Sequence, residues 1–347
     1  MARDSALNVS VGVIAAVLVS AAAYQASEVF APLALALFIM ALVWPLQSWL
    51  QARMPKLFAL AITMAATVAV CLLLASTVIW SFSRVGRSLL SDYGRYQTLY
   101  NAAAAWLEAH GISMAGVWTQ HFDVAWLLRA AQQITGRVNT TLSFWLIALV
   151  YVILGLMEVE DVRWRVKAYA EPETARVFLT ASAETARKTR KYMEVRTQMS
   201  LATGVVVGAF AWMVGLQFPL EWSVIAFVLN YIPFVGPFIA TLFPTLIEMS
   251  QLSSWGAVIG VFACLNVIQF VIGSYIEPRV SGAVLAMSPT VVLFAVFFGM
   301  FIWGLFGAFI GVPIAIAIIT FCSHHPSSRW VADLLGGPRE ARPLAQS

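Results

Sequence analysis

The sequence predicts an all-α polytopic membrane protein with about eight transmembrane helices. The chain of 347 residues is 61% hydrophobic and only 11% charged, whereas soluble domains carry roughly 25% charged residues. Its apolar residues form runs of about 20, the length that crosses a hydrocarbon core of roughly 30 Å. A soluble fold of this size could not hide so much apolar surface from water, so we expect a lipid bilayer around it.

Eight apolar runs define the predicted helices. They cover residues 7–24, 29–50, 57–82, 139–157, 198–216, 222–249, 255–276 and 289–321. The sixth and eighth runs are long and contain internal prolines and glycines. Proline removes a backbone donor and glycine permits unusual backbone angles, so the sixth helix is predicted to be broken or re-entrant and the eighth could be.

Polar segments divide the chain into six regions. These are helices one to three (1–83), an external amphipathic helical segment (84–138), helix four (139–157), a charged cytoplasmic helical segment (158–196), helices five to eight (197–322) and a cytoplasmic tail (323–347). With eight spans, the basic residues at 3, 53–56, 163–196 and 329–342 fall on one side of the membrane, and the positive-inside rule then places both termini in the cytoplasm. The basic helix within 171–196 either contacts lipid headgroups or is a solvated linker.

Residues 230–237 interrupt the sixth run and are the strongest candidate for a functional site. Polar groups deep in a bilayer cost roughly 2.5–3.5 kcal/mol, so they mark candidate sites. Pro233 and Pro237 block a continuous helix, Gly236 permits a sharp turn, and Asn230 lies beside the break. Broken helices of this kind form substrate sites in many transporters, and a simple proline kink is the alternative.

The seventh run offers a second set of candidates. Asn266 and Gln269 are three residues apart and share one helix face, so they either line a polar pathway or bond neighbouring helices. Glu277, Pro278 and Arg279 follow at its end. They form either an ionisable gate, with Glu277 coupling an ion, or an interfacial ion pair.

The eighth run carries residues expected to cap or pack helices. Ser288 and Pro289 form an ordinary helix N-terminus, with serine as the cap and proline in the first turn. Gly304 and Gly307, followed by Pro313, let helices approach closely in lipid.

The sequence contains none of the common catalytic or nucleotide-binding motifs. There is no phosphate-binding loop with Lys-Ser/Thr, no His-Glu-x-x-His and no Gly-x-Ser-x-Gly. We therefore predict no catalytic residue, no metal, no cofactor and no enzymatic activity. The basic residues lie between apolar runs and form no water-facing basic module, so nucleic acid is not an expected partner.

Residues 230–237, 269–282 and 288–313, together with 191–216, resemble the autoinducer-2 exporter (AI-2E) family of bacterial membrane proteins. The resemblance implies about eight helices in the bacterial inner membrane and a homo-oligomer. Family members are associated with export of the signalling molecule autoinducer-2, and some with sodium/proton antiport. The family name therefore does not determine the substrate.

We expect a secondary transporter or exporter of small polar solutes, with autoinducer-2 as a candidate substrate and H⁺ or Na⁺ as a candidate coupling ion. A sodium (or lithium)/proton antiporter is one alternative, although the scarcity of carboxylates deep in the runs argues against it. A non-transporting membrane scaffold protein is the other.

Overall fold

The computed structural model describes residues 2–91, 94, 109, 138–249, 255–281, 287–325 and 328–336. These residues form helices and their connections, apart from one isolated bridge between Met287 and Gly336. The predicted all-α membrane fold is therefore confirmed. Most of the predicted external segment 84–138 and the end of the tail lie outside the described residues.

The structure describes eleven α-helices, numbered in chain order. They are α1 (Ala2–Gln25), α2 (Ser27–Gln51), α3 (Lys56–Ser91), α4 (Val138–Tyr169), α5 (Pro172–Val214), α6 (Pro219–Leu229), α7 (Val235–Glu248), α8 (Trp255–Phe270), α9 (Glu277–Ser281), α10 (Pro289–His324) and α11 (Arg329–Leu335). A π-helical segment, Val271–Ile276, joins α8 to α9. Six helices in the described part are long and apolar enough to cross a membrane: α2, α3, α4, α5, α8 with its π-helical segment, and α10. The predicted count of eight is not confirmed.

The sixth predicted span consists of two short helices that pack against each other. Helix α6 has 11 residues and α7 has 14. At about 1.5 Å per residue they are about 16 and 21 Å long, and neither crosses a core of roughly 30 Å. The break between them is the one predicted from Pro233 and Gly236. The pair is a helical hairpin, which we call hairpin A.

The eighth predicted span also reverses direction. Trp303 and Gly304 have non-helical backbone angles, with φ +63° at Gly304. Beyond this turn the two arms pack so closely that a Cβ atom on Gly299 would lie 2.8 Å from the carbonyl carbon of Gly307. Glycine is required where backbones approach this closely. Helix α10 is therefore a second hairpin, which we call hairpin B.

The chain divides into two compact units. Unit 1 comprises Met1–Ala69, Phe144–Arg196 and Arg279–Ser347, and unit 2 comprises Val70–Ser143 and Thr197–Pro278. The core of unit 1 includes Leu35, Phe38 and Ala148, packed against Phe306 and Phe309 of hairpin B. The core of unit 2 is formed by buried residues of α5, hairpin A and α8.

Within unit 1, a proline in α2 is compensated by an arginine from α5. Pro45 has no N–H, so the carbonyl of Ala41 loses its usual partner four residues on. The Nη1 of Arg190 donates to that carbonyl oxygen at 2.8 Å. This bond joins the charged half of α5 to α2.

A cluster of ionisable groups joins the same half of α5 to the end of hairpin B. The Nζ of Lys188 lies 2.8 Å from Oε1 of Glu184, and the Nε2 of His324 lies 3.2 Å from Oε2. These residues fall outside the apolar runs. The hydrogen bond from Lys188, with the positive charges nearby, lowers the pKa of Glu184 below its usual value of 4.5.

Candidate functional site

The turn of hairpin A faces a row of hydroxyl groups on α5. The Nδ2 of Asn230 donates to Oγ of Ser200 and to Oγ1 of Thr203, each at 3.4 Å. The hydroxyl of Tyr231 donates to Oγ1 of Thr197 at 2.9 Å. We call these five residues the tip site. All five lie within unit 2.

The local sequence explains why the chain turns here. Asn230 caps the C-terminal end of α6 with helical backbone angles, and Pro233 in the turn lacks the N–H that a continuing helix would need. The N–H of Gly236 bonds the carbonyl of Ile232 at 3.0 Å and starts α7. A Cβ atom on Gly236 would overlap the carbonyl oxygen of Leu229, so only glycine fits this turn.

Ser200 and Thr203 of the tip site belong to the apolar part of α5. They precede Val214, the end of α5, by 14 and 11 residues. This places them about 16–21 Å from that end of the helix, within the length of a hydrocarbon core of roughly 30 Å. Asn230 is only 5% exposed, and Ser200 and Thr203 are fully buried. These three polar groups of the tip site are therefore desolvated.

The hydrogen bonds of Asn230 are weak. N–H···O bonds are typically about 2.9–3.0 Å long, and both bonds of Asn230 measure 3.4 Å. A solute that offers an acceptor at ordinary distance would bind this amide better than the hydroxyls do. The side chain can exchange partners at low cost, as a transient binding site requires.

The base of hairpin A is held by a charge pair to which the sequence analysis gave no role. Glu221, in the first turn of α6, is 2% exposed, and the Nη1 of Arg84 on α3 lies 2.7 Å from its Oε1. The guanidinium also lies over the rings of Trp80, at 5.2 Å, and Phe218, at 5.9 Å. The sequence did contain a signal for this pair, because Glu221 is a carboxylate in the first turn of an apolar helix, near the positive end of the helix dipole.

The two predicted residues of α8 have different surroundings. Asn266 is exposed, and its Nδ2 donates to the carbonyl of Phe262 in its own helix at 2.8 Å. Gln269 is buried, and its Nε2 has no hydrogen-bond partner among the described residues. Gln269 continues the face of α8 that carries Leu265, which belongs to the same core as Trp222 of α6. The indole Nε1 of Trp222 is likewise buried and unbonded within the described part of the chain.

The remaining predicted residues lie at helix boundaries. Pro237 is half-buried in the first turn of α7. Glu277 begins α9 directly after the π-helical segment and is half-buried, Pro278 follows it, and Arg279 is exposed. Single π-helical turns inside α-helices often mark functional sites.

In hairpin B, Ser288 caps the first arm, since its Oγ accepts from the N–H of Val291 at 3.3 Å. Pro289 is the first residue of that arm. Gly307 and Pro313 are buried in the second arm.

Sequence reasoning missed the hydroxyls of Thr197, Ser200 and Thr203. They recur every third residue at the start of an apolar run, which places them on one helix face. Within the described ranges, no group of three or more histidine, cysteine or acidic side chains lies close enough to hold a metal ion. The polar chemistry of the tip site is thus that of amide and hydroxyl groups.

A sequence model described as AI-2E family transporter matches residues 13–326. The chain belongs to the AI-2E transporter family. It is 25% identical to the AI-2 transport protein TqsA of Escherichia coli (strain K12), over 84% of this chain and 85% of TqsA. It is 30% identical to a protein of Borreliella burgdorferi and 29% identical to YhhT of Escherichia coli (strain K12), both named only provisionally as transport proteins.

The chain matches about half the length of those two relatives, at 52% and 53%. Family membership and the apolar helices make this member of the AI-2E transporter family a multi-pass inner-membrane protein. The family is a transporter family, and the resemblance drawn from the sequence is confirmed.

Proposed function

We propose that this AI-2E family transporter moves a small, uncharged polar solute through the membrane by way of the tip site. The observation that carries the proposal is the pair of long hydrogen bonds from buried Asn230 to two buried hydroxyls of the apolar part of α5. The tip site contains amide and hydroxyl groups and no charged side chain. Such groups match the hydroxyls of a neutral solute and would not balance the charge of an ion.

Autoinducer-2 is the first substrate to test, because the relative TqsA is named an AI-2 transport protein and aligns over 84% of this chain. We further propose that the pathway includes Gln269, whose buried donor a solute or water could satisfy. Transport would be secondary, powered by an ion gradient or passive, because the sequence has no nucleotide-binding motif.

The test is solute efflux from preloaded proteoliposomes. Asn230→Ala removes the amide, and Ser200→Ala removes one of its partners. Each lost contact is worth about 1 kcal/mol, or about fivefold in solute affinity. We therefore expect a several-fold slower initial efflux at a solute concentration below saturation. Ser76→Ala on α3 is the matched control, since that exposed hydroxyl bonds only the carbonyl of Leu73.

Wild-type efflux in Asn230→Ala, at equal reconstituted protein, would remove the tip site from the mechanism. Ion coupling is tested separately with Glu277→Gln, which we expect to abolish any dependence of efflux on the proton or sodium gradient. Proton movement driven by added Na⁺ or Li⁺ without any solute would favour antiport instead.

A further inference from the structure

The guanidinium groups of two arginines of unit 1 lie over tryptophan rings of α2. The guanidinium carbon of Arg53 is 3.9 Å from the ring centroid of Trp49, and that of Arg163 is 5.2 Å from the ring centroid of Trp44. Both arginines are exposed. Stacking uses the face of the guanidinium plane and leaves its N–H edge free.

Both pairs lie at a single boundary of the apolar region. The Nζ of Lys56, at the start of α3, donates to the carbonyl of Met157 at 2.8 Å and lies 3.4 Å from Oε2 of Glu160. The start of α3 is therefore level with the point where the apolar part of α4 ends. Trp44 and Trp49 lie in the last turns of α2, which ends next to α3. Tryptophan is enriched at this level, where lipid headgroups meet the hydrocarbon.

Neither guanidinium of the two pairs meets a carboxylate among the described residues. The nearby acid Glu160 is paired with Lys56. Glu158 and Asp161 are also exposed on this stretch of α4, so its overall charge is not strongly positive. Any selectivity for anions must therefore come from the two stacked arginines and not from bulk charge.

We propose that Arg53 and Arg163 each bind the phosphodiester of an anionic phospholipid at this membrane boundary. The planar N–H edge of arginine matches two phosphate oxygens, and stacking on tryptophan fixes its orientation in advance. The acyl chains of the same lipid would lie along the exposed apolar surface of α2 and α4. Phosphatidylglycerol is the lipid that the proposal names for testing.

The experiment compares lipid binding by the purified full-length chain in detergent. Phosphatidylglycerol or phosphatidylcholine is added, and both the shift in melting temperature and the retained lipids in native mass spectra are measured. The test variant is the double substitution Arg53→Gln with Arg163→Gln. Arg165→Gln is the matched control, because that arginine is exposed on the same stretch of α4 and has no ring beneath it among the described residues.

Phosphatidylcholine carries the same phosphodiester, but its choline cation offsets the negative charge that the arginines would bind. We therefore expect phosphatidylglycerol to raise the melting temperature of the wild type and of Arg165→Gln more than phosphatidylcholine does. The double variant should bind phosphatidylglycerol about tenfold more weakly per lost arginine contact. Replacing Trp44 and Trp49 by leucine keeps both charges and should weaken binding by about threefold. Equal melting temperatures in phosphatidylcholine establish that each variant is folded.

Three results would overturn the proposal. Phosphatidylglycerol could raise the melting temperature of the double variant as much as it raises that of the wild type. Phosphatidylglycerol binding could be weakened as much by Arg165→Gln as by the double substitution, which would show an effect of overall charge. Inorganic phosphate or glycerol phosphate at equal concentration could stabilise the protein as well as the lipid does, which would show a site for free anions.

Discussion

The sharpest test of hairpin A is the substitution Gly236→Ala. In the folded protein the new Cβ would lie 2.5 Å from the carbonyl carbon of Leu229 and 3.2 Å from the amide nitrogen of Asn230, and it would overlap the carbonyl oxygen of Leu229. Carbon atoms in contact are normally about 3.5–4.0 Å apart. The obstacles are backbone atoms, which cannot rotate away as a side chain could.

The turn must therefore open by about 1 Å, and overpacking of this kind costs about 1–3 kcal/mol. Gly260→Ala on α8 is the matched control, since no atom lies within 4 Å of its Cβ position. There alanine should stabilise the helix by up to about 1 kcal/mol through its higher helix propensity. We thus expect the two variants to differ by about 2–4 kcal/mol in unfolding free energy.

The assay combines unfolding in detergent with efflux from proteoliposomes. Gly236→Ala should unfold more easily and also transport more slowly, because opening the turn displaces Asn230 from Ser200. Gly260→Ala should do neither. If Gly236→Ala unfolded and transported like Gly260→Ala, the close turn between α6 and α7 could not be correct.

Three further predictions concern contacts away from the tip site. Arg190→Met should lower the unfolding free energy by about 1–3 kcal/mol. In a Pro45→Ala background the loss should be smaller, because the amide restored at position 45 can then bond the carbonyl of Ala41. If the two substitutions had additive effects on the unfolding free energy, the contact would not compensate for the proline. Arg84→Gln should lower the unfolding free energy by about 2 kcal/mol, because it leaves the buried carboxylate of Glu221 without its positive partner. Replacing both Arg84 and Glu221 by glutamine should cost less than the two single substitutions added together. Because its folded pKa is lowered, Glu184 stabilises the protein fully above about pH 4.5, and this stabilisation is lost as pH falls towards the folded value. Glu184→Gln should therefore reduce the fall in melting temperature measured below about pH 5.

The fold class could be predicted because lipid imposes a simple rule on the sequence. Every backbone group in hydrocarbon must be bonded within a helix, so apolar length alone identifies the helices. The break in the sixth run could be predicted for the same reason, since Pro233 removes a donor. Whether a broken run continues across the membrane or turns back depends on tertiary packing, such as the contact of Gly299 with Gly307, and no local pattern encodes it.

The site could be predicted only in part. Asn230 was found because an amide in an apolar run is costly, and this cost is a property of one residue. The hydroxyls of Ser200 and Thr203 cost less to bury, since each can bond the carbonyl four residues earlier, as Thr203 does with Met199 at 2.8 Å. Their role became visible only when hairpin A brought Asn230 against them.

Hairpin A also changes the expected course of the chain after α5. In a pattern of eight full crossings, the end of α8 would emerge on the side opposite the charged start of α5. A pattern in which α6 and α7 return to the side where α5 ends would instead take α8 back towards the side of that charged segment. That pattern agrees better with the positive-inside rule, because Arg279, which eight crossings place outside, joins the other basic residues.

The two patterns could not be distinguished from the termini. Eight crossings, or six crossings by α1 to α5 and α8 together with hairpins A and B, both leave the two ends of the chain on one side of the membrane. The number of lysine and arginine residues near the ends therefore cannot distinguish the two crossing patterns. Only a charge between the two hairpins, such as Arg279, distinguishes the two patterns.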